Sequence, residues 1–360
     1  MIEYTDIFQK KNKNIIGDSE KAFYKSKTVL VTGGGGSIGS ALVRCLNTFS
    51  PSRIIIFDIY ENNAYNLYCE LCERKAENTE IIIEIGSVRD KNRVNALFEK
   101  YKPNVVFHAA AHKHVSLMEE NCAEAVKNNC IGTYCCLVAA ERVNAEKFVL
   151  ISSDKAVRPV GVMGASKRIC EMLVLGRKQS KTVFSAVRFG NVFGTAGSVI
   201  PLFERQISSG GPVTVTDKRM TRYFMSISDA AQLLLCAGAM SKNGELFVLD
   251  IGKPVNIYEI AEKMIHFMGF EPEKDIKIIE TGLKNGEKLF EEYLLEDKES
   301  YKLTKNNLIY IEKSNQKVHY DANEIISRLE AALENPLCET DPRVIKKVLS
   351  EIIPEYNPVL

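Results

Sequence analysis

Short apolar runs alternate with longer amphipathic stretches along most of the chain. Thr28–Thr32, Ile54–Phe57, Ile81–Ile85, Val105–His108, Phe148–Ile151 and Val183–Val187 are each rich in β-branched or aromatic residues and lack strict polar alternation. That pattern predicts strands with both faces covered by helices. Between them lie stretches of helical period: one from about Ser37, a polar one carrying Tyr65, Leu67 and Leu71, and a long one over Ala123–Arg142. Strand and helix in alternation predict parallel βαβ units and an α/β class fold with a doubly wound parallel sheet. Beyond Gly190 the rhythm loosens and Gly210, Gly211, Pro212, Arg219 and Arg222 crowd together. A further apolar run, Leu246–Ile251, is expected to return to the main sheet, and the last third to cap the ligand side. No internal repeat or low-complexity linker is visible, so two interleaved lobes are expected.

Composition narrows the class. The 360 residues suit one large α/β unit or two fused lobes, and 45% hydrophobic residues allow a sizeable core. With 47 basic and 46 acidic side chains the net charge is +1, which argues against a nucleic-acid partner. Met1 to Asn14 has no apolar signal-like core, and no run of about 18 apolar residues occurs, so a cytoplasmic protein without a membrane span is expected. The 10 cysteines are scattered through apolar segments, as at Cys45, Cys130, Cys170 and Cys236, and read as reduced thiols. Cys69 and Cys72 form a C-x-x-C on a predicted helix, but no second pair or His cluster completes a metal site.

The first strand runs directly into Thr32-Gly33-Gly-Gly-Gly36-Ser37-Ile38-Gly39, which opens a helix. Glycines at 33, 36 and 39 in that context form a dinucleotide fingerprint. Gly33 permits the turn, Gly36 lets a pyrophosphate approach the backbone, and Gly39 lets helix and strand pack closely. The helix start, with Ser37 and Ile38, offers free N–H groups to phosphate. Asp58, about 20 residues on at the end of the second strand, is placed to accept from the ribose hydroxyls of NAD and to repel a 2′-phosphate, which favours NAD while leaving NADP open. Residues 26–190 thus read as a dinucleotide-binding Rossmann domain, 1–25 as a helical arm, and 191–360 mainly as a substrate-binding lobe.

After the fourth strand, His108-Ala109-Ala110-Ala-His112-Lys113-His114 gives a small-residue surface for the cofactor followed by polar groups. The two histidines lack an acid cluster, so Lys113 is the candidate substrate group there rather than a metal site. After the fifth strand, Ser153, Asp154 and Lys155 come together, and Lys167 follows on the next helix. A hydroxyl, an acid and an amine therefore converge where ligands bind in open α/β sheets.

These stretches resemble the extended short-chain dehydrogenase/reductases, and within them the polysaccharide-biosynthesis (CapD-like) 4,6-dehydratases of UDP-N-acetylglucosamine. The matching motifs are T-G-G-G-G-S-I-G at 32–39, H-A-A-A-H-K-H-V at 108–115, S-S-D-K-A-V-R-P at 152–159 and V-M-G-A-S-K-R at 162–168. R-F-G-N-V at 188–192, G-S-V-I-P-L-F at 197–203, T-R-Y-F-M at 221–225 and N-G-E-K-L at 285–289 extend the resemblance to roughly residues 25–300. One departure stands out: the superfamily's Tyr-x-x-x-Lys has Met163 in the Tyr position while Lys167 is kept. A branch of these dehydratases also has Met there, and the acid–base work then falls on Ser153, Asp154 and Lys155.

The resemblance implies a tightly bound NAD regenerated each turnover: hydride leaves sugar C4, water is lost across C5 and C6, and hydride returns to C6. Asp154 is the expected acid at O6 and Lys155 the base at C5, which needs a lowered pKa from burial or neighbouring positive charge. Ser153 is expected at O4 and Lys167 at the nicotinamide ribose. Asn191 should reach the ligand, Arg205, Arg219 and above all Arg222 are candidates for the nucleotide diphosphate, and Glu287 and Lys288 resemble positions near substrate. The implied partner is a UDP-sugar, and superfamily members commonly form homo-oligomers. Two rivals remain: a UDP-sugar 4-epimerase, which needs no acid and base for elimination, and a cofactor-binding sensor or scaffold without turnover, which Met163 favours.

Overall fold

The apolar runs all become strands of one sheet. The computed structural model describes residues 15–73, 79–292, 298–313 and 320–358. Strands β1 (Thr28–Thr32), β2 (Arg53–Asp58), β3 (Glu80–Ile85), β4 (Val105–His108), β5 (Lys147–Ile151), β6 (Val183–Arg188) and β7 (Glu245–Leu249) are parallel, and β8 (Tyr301–Leu303) and β9 (Ile309–Glu312) complete the sheet antiparallel. The order across the sheet is 8-9-7-6-5-4-1-2-3. This contains the Rossmann order, with its reversal between β1 and β4. Strand residues alternate between two cores: Leu30 and Ile55 pack on one face, Val29, Val31, Ile54 and Ile56 on the other. The edge strand β3 carries Glu80 and Glu84, charges that blunt an exposed edge.

The run predicted at 246–251 joins the sheet as expected, although its strand ends at Leu249. The helix predicted over Ala123–Arg142 is instead three pieces: a short turn at Cys122–Ala125, a π-helical turn at Val126–Ile131 and an α-helix at Gly132–Arg142. Of the expected arm, residues 1–14 lie outside the described residues. Asp18–Tyr24 is helical, and the Tyr24 hydroxyl, fully buried, donates to the Leu235 carbonyl at 2.6 Å.

Residues 322–356 also differ from the expected cap. Helices Ala322–Glu334 and Pro342–Ile352 bury Ile325, Leu329, Ile345 and Leu349 in the same core as Leu30 and Phe148, so they widen the layer on one sheet face. The ligand side is formed by a separate small core of Phe193, Ile200, Phe203, Ile260, Met264 and Ile276, together with three two-stranded ladders. Seven of the free cysteines are buried, whereas Cys69 and Cys72 are exposed on helix Glu61–Glu73.

Candidate active site

The reversal between β1 and β4 opens a crevice at the strands' carboxyl ends. Helix α1 (Ser37–Asn47) starts there with Gly36 as N-cap and no side-chain cap, so its first N–H groups face outward uncapped. The glycines are required by contact. Gly33 has φ +65°, and a Cβ on it would lie 2.7 Å from the Ala110 nitrogen. A Cβ on Gly39 would lie 2.1 Å from the Gly33 carbonyl oxygen. Around Gly36 the nearest atom is the Gly33 oxygen at 3.2 Å, and the rest of the space is open. Gly33, Gly36, Ser37, Ile38 and Gly39 all line one cavity of about 780 Å³, within the range of small-molecule sites. A cradle that any Cβ would fill, opening on bare helix N–H groups, fits a dinucleotide's diphosphate.

Asp58 is not among the cavity-lining residues. Its Oδ2 accepts from the Gly35 N–H at 2.8 Å and its Oδ1 from the Tyr60 N–H at 2.9 Å, so it braces the glycine loop. Ala109 lines the cavity, but Ala110 does not; it packs beneath Gly33, which explains why this position is small. His108 is buried between the Thr32 and Thr133 hydroxyls at 2.8 and 3.0 Å, and burial first, then Lys167, pushes its pKa down to about 3. It is a neutral structural group. His112 and His114 line the cavity, and burial lowers both.

At the end of β5 the chain makes a single 3₁₀ turn, Asp154–Ala156, capped by the Ser153 hydroxyl, which accepts from the Lys155 N–H at 3.2 Å. The Ser153 hydroxyl donates to Asp154 Oδ1 at 2.9 Å. Lys155 Nζ donates to the same Oδ1 and to Asn191 Oδ1, each at 3.0 Å. Ser153 and Lys155 line the cavity; Asp154 lies just behind, 3% exposed, with Oδ2 lacking any hydrogen-bond partner among the described residues. Met163 and Lys167, on helix α2 of this region (Val162–Leu175), also line it. Lys167 Nζ donates to the Ile151 carbonyl at 2.6 Å, and burial lowers its pKa. The turn is anchored from below: Ser152 donates to the fully buried Glu171 at 2.7 Å, and Glu171 is held by Arg188 at 2.6 and 2.7 Å.

The expected lowering of Lys155 is not found. Burial pulls its pKa down, but Asp154 and then Glu291 outweigh that, and the ammonium is held above the usual lysine value. Glu291 was missed by sequence reasoning. It lines the cavity with its side chain 3% exposed and Oε1 3.2 Å from Lys155 Nζ. No local signal marks it, because its partner lies far upstream and meets it only in the fold.

Three arginines need correction. Arg205 is exposed on the helix Val199–Ser208, whose inner face holds Ile200, Phe203 and Ile207, and it is not among the cavity-lining residues. Arg219 is exposed and pairs with Asp217 at 2.8 Å. Arg222 does line the cavity, but its guanidinium donates to the carbonyls of Thr221, Leu289 and Lys288 at 2.8, 3.0 and 2.6 Å. It fastens the 288–291 segment rather than presenting a free fork. Lys288 donates to the Val157 carbonyl at 2.9 Å and Glu292 pairs with Arg158 at 2.7 Å, so the segment is tied on both sides. Glu287 faces the cavity with Oε2 unpartnered among the described residues. Lys113, lowered by burial, also lines it and donates to Thr195 at 3.3 Å.

Among the described residues no group of three or more His, Cys, Asp or Glu side chains could hold a metal, and no helix is long and apolar enough to cross a membrane. The sequence profile of the polysaccharide biosynthesis protein family matches residues 29–314. The chain is 52% identical over 271 residues to the probable polysaccharide biosynthesis protein EpsC of Bacillus subtilis, covering 75% of this chain and 45% of that one. It therefore spans less than half the length of that relative. It is 35% identical over 279 residues to a UDP-glucose 4-epimerase of Rickettsia rickettsii, covering 74% and 77% of the two chains. Among solved structures, Pen from Bacillus thuringiensis aligns with a TM-score of 0.74 at 36% identity, covering 81% of this chain and 90% of that one.

Proposed function

Starting from a chain that belongs to the polysaccharide biosynthesis protein family, we propose that it is a nucleotide-sugar 4,6-dehydratase acting on UDP-N-acetylglucosamine with a retained NAD. The observation that carries this reading is the Lys155 amine, 3.0 Å from Asp154 and on the wall of the cavity that also holds the glycine cradle and Lys167. A proton donor and a proton acceptor side by side suit elimination of water, which needs both at adjacent carbons.

When bound, NAD supplies a hydride acceptor at sugar C4 and a hydride donor at C6. Gly33, Gly36, Gly39 and the N–H groups from Ser37 hold its diphosphate, Asp58 its adenosine ribose, and Lys167 its other ribose. Ser153 orients O4. Lys155 passes one ammonium proton to Asp154, 3.0 Å away; the amine so freed takes the C5 proton, and Asp154 hands its proton to O6 as water leaves. The thioether of Met163 carries no proton, so Asp154 and Lys155 share all the acid–base work near the ring. Asn191 and Glu287 bind the sugar. Arg222 holds the wall that carries Glu287 and Glu291.

A 4-epimerase is the second reading, favoured by the Rickettsia relative. Incubation of the purified protein with UDP-N-acetylglucosamine, followed by mass spectrometry, separates the two. The dehydratase reading expects a product lighter by one water; a product of unchanged mass would support epimerisation, and unchanged substrate would leave a binding protein without turnover.

A further inference from the structure

We propose that Glu119 is a positioning residue for the sugar-facing wall, and that the C-terminal helix Pro342–Ile352 holds it in place through Lys346. The inference rests on the reading of the cavity as a UDP-sugar site. It gives that site a support from a distant part of the chain, since among the described residues no cavity-lining residue lies beyond Glu291.

Glu119 ends the short helix Val115–Glu120 and is buried. Its two oxygens serve different parts of the fold. Oε1 accepts from the Val162 N–H, the first of the helix that carries Met163 and Lys167. That helix is preceded by Gly161, which has no side chain to cap it, so another helix supplies the acceptor. Oε2 lies 3.2 Å from Lys346 Nζ. The ammonium and the positive end of the helix both favour the carboxylate. The wall rests on the same side chain. A Cβ on Gly286 would lie 2.8 Å from Glu119 Cγ and Oε1, and Gly286 has φ +78°. A Cβ on Gly161 would lie 2.8 Å from Glu119 Oε1 and 2.9 Å from the Gly286 Cα. Helix start, carboxylate and wall therefore meet with no room for a methyl group between them. Gly161 and Gly286 both line the cavity, and Glu287 follows next in the chain.

Arg222 holds the wall at the Lys288 and Leu289 carbonyls, and Lys288 ties it to the Val157 carbonyl. Glu119 adds a stop at Gly286, on the near side of Glu287. The cofactor's grip has other supports: Lys167 Nζ is bonded to the Ile151 carbonyl, and the glycine cradle packs on Ala110. A displaced Glu119 should thus move the sugar-binding edge and spare the cofactor. The chemistry of the pair sets how it can be displaced. A carboxylate accepts at both oxygens, an amide at only one. Glu119→Gln therefore turns an NH₂ toward either the Val162 N–H or the Lys346 ammonium. Lys346→Met strands a buried carboxylate, which is drawn toward solvent or a proton. With both substitutions the amide oxygen serves Val162, and its NH₂ faces an uncharged thioether.

The test compares wild type, Glu119→Gln, Lys346→Met and the double variant, each as the full chain. NAD affinity is titrated in all four, and kcat and KM are measured with UDP-N-acetylglucosamine. Affinity for that UDP-sugar is titrated in the same four proteins carrying Lys155→Met, which stops turnover on the proposed mechanism. Each single variant should bind the UDP-sugar roughly tenfold more weakly and show KM raised by a similar factor, with kcat and NAD affinity within about twofold of wild type. The double variant should be less impaired than either single one. General loss of folding would instead take both ligands together. Wild-type sugar affinity in both single variants, equal losses of the two ligands, or a double variant whose loss is the sum of the two would each overturn the assignment. Should wild type bind the UDP-sugar yet release no water, the dehydratase reading fails while the affinity comparison still decides the role of Glu119. Should it bind no UDP-sugar at all, the site reading fails and takes this inference with it.

Discussion

Gly39 shows how tightly one position can be constrained. Its conformation is ordinary, yet the space for a methyl group is already taken by the Gly33 carbonyl, 2.1 Å from where Cβ would be. Gly39→Ala must push the loop off the helix start. We expect destabilisation of about 1–3 kcal/mol and at least a tenfold loss of NAD affinity, measured by thermal unfolding and by titration of the cofactor. A Gly39→Ala protein that binds NAD normally would show that the cradle is not the diphosphate site. The glycines were legible because their requirement is local: strand, turn and helix lie within a dozen residues. Lys155 and Lys167 were legible for the same reason. Glu291 and the carbonyl-holding role of Arg222 were not, since each depends on segments distant in sequence. Arg205 could have been placed correctly: the stripe of Ile200, Phe203 and Ile207 puts it on the outer face of its helix.

At the scale of the element, β3 and the helix Lys91–Tyr101 that follows it are joined through one carboxylate. Glu84 accepts from Arg93, Tyr101 and Lys100, the last at 3.0 Å. Burial alone would raise its pKa, but the bonds from Tyr101, Arg93 and Lys100 bring it down to about 2. The folded value lies below the ordinary 4.5, so the unfolded chain binds the proton more readily. The stabilisation is therefore complete above about pH 5 and is lost as pH falls through 4.5 toward 2. Glu84→Gln should cost about 1–3 kcal/mol at neutral pH, and its deficit relative to wild type should shrink over that acid window in urea unfolding at stepped pH. A constant deficit from pH 7 to 3 would assign the loss to packing instead. Strand positions were readable from apolar runs, but the π-helical turn at Val126–Ile131 was not, because the residues from Ala123 to Arg142 read as one continuous helix with no glycine–proline punctuation to mark a wider turn.

At the scale of the whole molecule, Arg222 joins the two excursions that form the wall, and Lys288 and Glu292 tie the later one to the turn after β5 through Val157 and Arg158. Arg222→Ala removes three hydrogen bonds to carbonyls and leaves the 288–291 segment held from one side. On the proposed function we expect KM for the UDP-sugar to rise roughly tenfold or more, with NAD affinity nearly unchanged, because the carbonyls that Arg222 holds belong to Thr221, Lys288 and Leu289 and not to the glycine cradle. Equal losses of both affinities in steady-state kinetics and cofactor titration would mean that Arg222 supports the whole molecule and not the wall alone. The fold class was legible since alternating runs specify βαβ units. The destination of residues 322–356 was not, since an amphipathic helix does not announce which face of a sheet it will cover.

The wall leaves and rejoins the sheet at neighbouring points: residues 189–226 depart after β6, and residues 250–300 depart after β7 and return at β8. Neither excursion contributes a strand between β1 and β5, where the dinucleotide cradle is built. On the proposed function, a chimera carrying a relative's excursions on this sheet should inherit that relative's choice of hexose, and it should keep its own grip on the redox carrier only where the incoming loop still offers a backbone N–H to the Ser37 hydroxyl, as Ala196 does at 3.1 Å.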